Sequence, residues 1–367
     1  MLRLSLPHVD DDAIAAAVAV LRSGQLVHGA EGNAFEAELA AYLGVREAVV
    51  VASGTAALHL ALVVLDVGPG DAVLVPDFTF PATGNVVRLV GARPVLVDVD
   101  PATYCITPEG IEAAISAFHG PERLRAVMPV HEFGQPAAID AIVALSARHG
   151  LAVVEDAACA IGATLQGRKL GTFGEIGCFS LHPRKTLTTG EGGVLTTDDA
   201  ALARRLRRLR SHGIERDASG MHFVEAGYNL RLTDIQSALG RAQLPKLDGW
   251  IASRRALAEA YREALAPLVG AGRLTLPARA EGHSWQTFMT VLADGIDRAA
   301  VIRALAAQGI EANLGAQCLS VLPPFEGCGG GPVAARLFRQ GLALPFCEQY
   351  GPGEVSRVAQ ALAAALG

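Results

Sequence analysis

Lys185, inside SLHPRKTLTTGEGG from Ser180 to Gly193, is the residue whose type most needs explaining. The chain has only three lysines, Lys169, Lys185 and Lys246, against twenty-eight arginines, so cationic charge alone is almost always supplied by arginine. Arginine stays protonated in proteins, whereas a lysine amine can shed its proton when partly desolvated or set near other cations, and can then attack an aldehyde to form a Schiff base. His182 and Arg184 stand beside Lys185, and Gly190, Gly192 and Gly193 follow it. The combination reads as a small-residue turn holding a reactive amine with room for a planar ligand. The plain alternative is a surface loop carrying an ordinary lysine.

Two other places hold compatible chemistry. Ser-Gly-Thr at 53–55 follows a short β-branched run and opens an apolar helix, so free backbone N–H groups lie at the positive end of that helix, a seat for phosphate; an ordinary helix cap has the same appearance. Asp156 ends the apolar run Leu151–Val154 followed by Glu155. It reads either as a cap for the next segment, DAACAIGA, or as the carboxylate that keeps a ring nitrogen protonated.

The elements that must position these residues follow from periodicity. Helices are expected over 10–22 and from about Asn33 to Tyr42. From there short apolar strands (48–51, 72–75, 94–99, 126–130, 151–154, 176–181, 194–197) alternate with helices (to 65, 82–90, 111–118, 139–149), the pattern of an α/β fold with a parallel sheet covered on both faces. Ligands in such sheets sit at the carboxyl ends of the strands, where the Ser-Gly-Thr run, Asp156 and Lys185 all fall. Pro245 marks a break, and the division drawn is a large domain over 1–245, including the N-terminal helices, and a smaller α+β domain over 246–367. The second contains helices at 251–266 and 297–308, strands at 272–276 and 285–292, a loop at 315–332 and a terminal helix from about Glu354.

Composition bounds the function. With 367 residues, 51% hydrophobic and 19% charged, the chain buries a sizeable core. A net charge of −6 argues against nucleic acid or an anionic membrane as the main partner. The one basic run, RRLRRLR at 204–210, carries leucines at helical spacing and reads as a helix with solvated arginines. The six cysteines show no CxxC pair and no ligand rhythm with histidine, so no metal is expected and a reduced, cytoplasmic setting is. No secretory leader and no membrane-spanning run is legible.

Taken together and in order, SGT, PDFTF (76–80), EDAAC (155–159), the lysine segment with TTGEGG (188–193) and GYNLRLTDIQSALGRAQLPKLD (227–248) resemble the fold-type I, pyridoxal-phosphate-dependent sugar aminotransferases of the DegT/DnrJ group. The resemblance implies that Lys185 holds pyridoxal phosphate as a Schiff base and later shuttles a proton, and that Asp156 pairs with the pyridinium nitrogen. It also implies that Phe80, or alternatively Phe78, stacks on the ring, and that Gly54, Thr55 and Ser180 take the phosphate. Asn229 from a partner subunit would reach the phosphate as well, with Arg231 facing the anionic part of the substrate, so that a homodimer shares its sites; His182 is the further substrate-side candidate.

This sequence departs from the group at Cys159, where relatives commonly carry glutamine or histidine bonded to the cofactor's phenolic oxygen, and at Asp77, Pro81 and Ile161. The loop 311–330 lacks the histidine and tyrosine often found there. The function expected is transfer of an amino group, from L-glutamate, onto a nucleotide-linked keto sugar, with 4-keto preferred over 3-keto on the TTGEGG and YNLRLTDIQ details; a keto-cyclitol is also compatible. The rivals are a sugar dehydratase on the same scaffold, in which histidine typically replaces the lysine, and a cofactor-binding regulatory protein without turnover.

Overall fold

A computed structural model describes all residues from Met1 to Gly367. Seven strands, β1 (Glu47–Val51), β2 (Asp71–Pro76), β3 (Arg93–Val97), β4 (Arg123–Val127), β5 (Ala152–Asp156), β6 (Ile176–Ser180) and β7 (Gly193–Thr197), form one sheet. Their order is β1-β7-β6-β5-β4-β2-β3. All run parallel except β7, which is antiparallel to both β1 and β6. The exception follows from chain length. Residues 181–192 contain no helix to carry the chain back across the sheet, so β7 returns beside β6 as the second arm of a hairpin. Lys185 rides on the loop of that hairpin.

The sheet is buried on both faces, every residue of β2 being inaccessible. Helices fill the gaps as the periodicity requires, with local start signals in place. Asp10 caps Asp11–Ser23 by accepting from the Ala13 amide, Ser53 caps Gly54–Val64 by accepting from the Ala56 amide, and Thr233 with Gln236 forms a capping box on Asp234–Gln243. The 24-residue helix Leu247–Gly270 begins just past Pro245, so the division drawn at 245/246 falls inside the one-turn helix Leu244–Lys246. Beyond it, a three-stranded antiparallel sheet (Leu274–Thr275, Phe288–Leu292, Gly341–Leu344) packs with the helices Arg298–Ala307 and Pro352–Leu366. The N-terminus reaches into this part: Leu2 belongs to its core, and its amide donates to Gly309 O at 2.8 Å. No helix is long and apolar enough to cross a membrane.

Several elements differ from the sequence expectation. The segment 214–223 forms an exposed hairpin that no alternation announces, and the loop expected over 315–332 contains a two-residue strand, two one-turn helices and the start of the helix Pro332–Gln340. The two-residue strand, Gln317–Cys318, pairs with Phe78–Thr79 and so lies against the PDFTF segment. Asp77 explains its own departure from the family pattern. Its buried carboxylate accepts from the Ser320 amide, the Ser320 hydroxyl and the Gly331 amide, at 2.7, 2.8 and 2.9 Å, so it fastens the C-terminal loop to the sheet.

The C-terminal part is pinned to the long helix by a buried ion pair, Arg254 with Glu348 at 2.8 Å. Arg254 also donates to the carbonyls of Trp285 and Gln286. Replacing Arg254 with alanine leaves a buried carboxylate uncompensated, and a loss of about 3–5 kcal/mol is expected in a denaturant titration.

Candidate functional site

The site forms where the ends of β5 and β6 meet the start of the helix Gly54–Val64. Side chains alternate along a strand, so neighbouring Glu155 and Asp156 face opposite ways. Glu155 is structural: its carboxylate accepts from the Gly171, Phe173 and Gly174 amides and lies 3.0 Å from His131 Nε2. Asp156 has different partners. Its Oδ2 accepts from the Thr83 hydroxyl at 2.7 Å and its Oδ1 from the Ala158 amide at 3.1 Å. Burial raises its pKa above the ordinary carboxylate value, opposed by those two hydrogen bonds and by the charges of Lys185 and His131. A buried carboxylate only partly compensated is suited to a cationic N–H.

Cross-strand register places Cys178 opposite Asp156, and two residues on, Ser180 ends β6. Gly54 packs directly on Ser180, where a Cβ would come within 2.8 Å of the serine Cβ. Gly193 is equally tight: a Cβ there would meet Ser53 O at 2.3 Å. These contacts bring the helix N-terminus, with Gly54 and exposed Thr55, against the Ser180 hydroxyl, so backbone and hydroxyl donors share one corner.

Lys185 closes the site. Its amine donates to Cys159 Sγ at 3.0 Å and has no carboxylate within ion-pair distance, and its charge is felt by Asp156. The other two lysines are employed differently, Lys169 against Tyr42 and Asp248, Lys246 against Asp10 and Asp12. The lysine loop is held from the C-terminal part by Gln286, whose side-chain amide donates to Arg184 O at 2.7 Å while its backbone amide donates to Phe133 O at 2.8 Å.

Of the two aromatic candidates, Phe78 is wholly buried among Tyr104 and Phe133, whereas Phe80 is 71% exposed and its ring is free. His182 is half-buried, and its Nδ1 accepts from the Arg184 amide at 3.2 Å. Burial lowers its pKa, which favours the neutral imidazole. Asn229 is exposed and Arg231 half-buried on a segment that runs antiparallel past the end of β1. No side-chain hydrogen bond ties either to Lys185 or Asp156. Ile161 is a core residue, and Pro81 stands at the start of the helix Ala82–Leu89.

Three residues of the site were not singled out from sequence: Thr83, Gln286 and Glu132. Thr83 lies in the PDFTFPAT run, and Glu132 lies five residues beyond the carboxyl end of β4, where the strand-end rule could have found it. Gln286 has no local signal, because its contact with the lysine loop spans a hundred residues of chain. The donor set as a whole fits one group, a flat heterocycle with a protonated ring nitrogen, a phosphate arm and an aldehyde. In such a group Asp156 would meet the nitrogen, the Gly54–Ser180 corner the phosphate, and Lys185 the aldehyde.

Known proteins resemble this chain over nearly its whole length. The family model described as the DegT/DnrJ/EryC1/StrS aminotransferase family matches residues 7–363. A UDP-N-acetyl-3-dehydro-alpha-D-glucosamine 3-aminotransferase from Acidithiobacillus ferrooxidans is 39% identical over 98% of this chain and 95% of its own length. An aminotransferase from Brucella abortus superposes with a TM-score of 0.90 at 34% identity, covering 97% of this chain and 96% of that one. The Streptococcus pneumoniae protein Spr1654, solved in its PMP form, superposes with a TM-score of 0.91 at 26% identity over 100% and 99% of the two chains.

The 3-aminotransferase relative runs against the expectation that 4-keto sugars are preferred over 3-keto sugars. The physical reason is in the fold. TTGEGG builds the lysine hairpin and the LTDIQ end of YNLRLTDIQ forms a helix cap, so most of both runs serves the scaffold, and neither distinguishes which sugar carbon reacts.

Proposed function

Because the chain belongs to the DegT/DnrJ/EryC1/StrS aminotransferase family, we propose that it is a pyridoxal-phosphate-dependent transaminase that moves an amino group from L-glutamate to carbon 3 of a nucleotide-linked keto sugar. The observation that carries the reading is the placement of the Lys185 amine, 3.0 Å from Cys159 and close enough to Asp156 for its charge to be felt there, beside the helix that opens at Gly54. The keto position rests on the 3-aminotransferase relative.

When bound, pyridoxal phosphate supplies an electron sink for a developing carbanion. The chain's own residues do the rest. Lys185 would anchor the cofactor through its amine and, once released, its Nζ would move a proton between the substrate carbon and the cofactor carbon bonded to the same nitrogen, a task that needs one flexible amine within hydrogen-bond reach of both. Asp156, oriented by the Thr83 hydroxyl, holds the ring nitrogen in its protonated form. Gly54 and Thr55 amides with the Ser180 hydroxyl take the phosphate, and the free Phe80 ring covers the ring face. Arg231 and the neutral imidazole of His182 are assigned to the substrate side.

We further assign Asn229 and Arg231 to a neighbouring copy's site, in a homodimer. The hairpin and strand leading to them expose Met221, Phe223, Val224 and Tyr228, an apolar run of the kind that a second copy buries. Mixing Lys185→Ala with Asn229→Ala subunits, each inactive alone, is then expected to restore turnover through hybrid dimers that contain one intact site. If the sites are not shared, the mixture stays as inactive as its parts.

The reaction is tested by incubating the purified protein with pyridoxal phosphate, L-glutamate and a panel of nucleotide-linked 3-keto and 4-keto sugars, then identifying amino sugars by mass spectrometry and NMR. A 3-amino product is expected; product only from 4-keto sugars, or none from any, defeats the assignment.

A further inference from the structure

Glu132 is a buried carboxyl that the fold uses only in part, through the Thr79 hydroxyl on one side. It begins a one-turn helix, Glu132–Gly134, just past β4, where Val130 bridges Asp156 and the His131 amide donates to Asp156 O at 3.0 Å. The turn is sharp enough to put Phe133 at a φ of +56°, in the left-handed region, with its ring in the core against Phe78 and Tyr104. Glu132 itself is 4% exposed, and its Oε2 has no hydrogen-bond partner. Leaving such an atom unpaired is costly, and a leucine would serve the packing as well, so the carboxyl calls for a ligand.

Its surroundings say which ligand. The titratable groups whose charge couples to this carboxyl are Asp156, Cys159, Lys185 and Cys105, three of them the site just described. Cys159 stands where relatives commonly place a glutamine or histidine donor, and its sulfur already accepts from the Lys185 amine. A thiol is a weak donor in any case. We propose that Glu132, in its protonated form, is the positioning residue that donates a hydrogen bond to the cofactor's phenolic oxygen, the role left open by Cys159. The inference rests on the pyridoxal phosphate reading above.

The protonation state is consistent. Burial, reinforced by the Asp156 charge and opposed by Lys185 and by the Thr79 hydroxyl, pushes Glu132 up to about 8, so the carboxyl is neutral and a donor at pH 7. Ionisation removes the donor and adds a negative charge beside a phenolate, so cofactor affinity must fall as pH rises through that value.

The test is cofactor binding rather than turnover. Wild type, Glu132→Gln and Glu132→Leu are titrated with pyridoxal phosphate and with its 3-deoxy analogue, which lacks the phenolic oxygen, by absorbance and fluorescence, with folding checked by circular dichroism. Glu132→Leu is expected to bind pyridoxal phosphate about ten- to a hundredfold more weakly while binding the analogue as wild type does. Glu132→Gln, which keeps a donor, stays within a few-fold. The wild-type to Glu132→Gln affinity ratio, in which Lys185 is common to both, drops above pH about 8. Equal weakening toward both ligands, or none, overturns the inference while the cofactor reading stands. Should Glu132→Leu fail to fold, a ratio flat through that pH overturns it. A wild type that takes up no pyridoxal phosphate overturns the cofactor reading and this inference together.

Discussion

Lys185→Ala yields a folded protein that, incubated with pyridoxal phosphate, stays colourless after desalting and turns over about 10⁴-fold more slowly. Two losses combine. On the proposed function the amine is the covalent anchor and also the group that moves the proton, a contribution that by itself reaches about 10²–10⁴-fold. Stability should barely change, because the amine is half-exposed, forms no ion pair and contributes one hydrogen bond to a thiol. Absorbance after desalting and a glutamate half-reaction read the two losses separately. Retained yellow colour with full turnover would remove Lys185 from the chemistry.

Asp156→Asn separates binding from catalysis. The amide is nearly isosteric and can still accept from Thr83, so the phosphate seat and Lys185 keep the cofactor. The ring nitrogen loses its anionic partner, and turnover is expected to fall about 10²–10³-fold, the range found when a preorganised charge-stabilising group is removed.

The stability sign is opposite to the activity sign. Burial raises the pKa of Asp156, so its favourable contribution to the cofactor-free fold is present below the unfolded-state carboxylate value and is lost as pH rises. Thermal melts of the cofactor-free proteins should therefore move in favour of the asparagine variant as pH increases past the usual carboxylate range. An unchanged rate, or a melting difference that moves the other way, counts against the role.

Much of the sheet was legible because its strands are short apolar runs spaced by amphipathic helices, and burial on both faces leaves few ways to arrange them. Asp156, Ser180, Lys185 and the Ser-Gly-Thr corner were legible for a related reason: strand ends on one edge of a parallel sheet converge wherever the chain goes in between. The hairpin 214–223 was not, since IERD and GMHF are exposed apart from half-buried Ile214 and leave no alternation to read. The helix Pro332–Gln340 was passed over because its start is embedded among glycines and cysteines, although Pro332 at its first turn is an ordinary start signal. Gln286 depends on a contact across a hundred residues, which no local pattern encodes, whereas Thr83 and Glu132 lay within reach of the PDFTFPAT run and of the strand-end rule. The preference for 4-keto over 3-keto, which the 3-aminotransferase relative disfavours, had little behind it because most of the residues used for it build the scaffold.

The different employment of the three lysines makes the protein its own reactivity gauge. An acylating reagent applied in trace amounts should label Lys169 and Lys246 at rates set by their carboxylate partners, indifferent to what occupies the cleft. Labelling of the third, bonded only to sulfur, should vanish when an aldehyde ligand takes its nitrogen and return when an amino donor releases it. Peptide mass ratios would then follow site occupancy in a mixture too dilute or too coloured for spectroscopy, with two internal standards supplied by the chain.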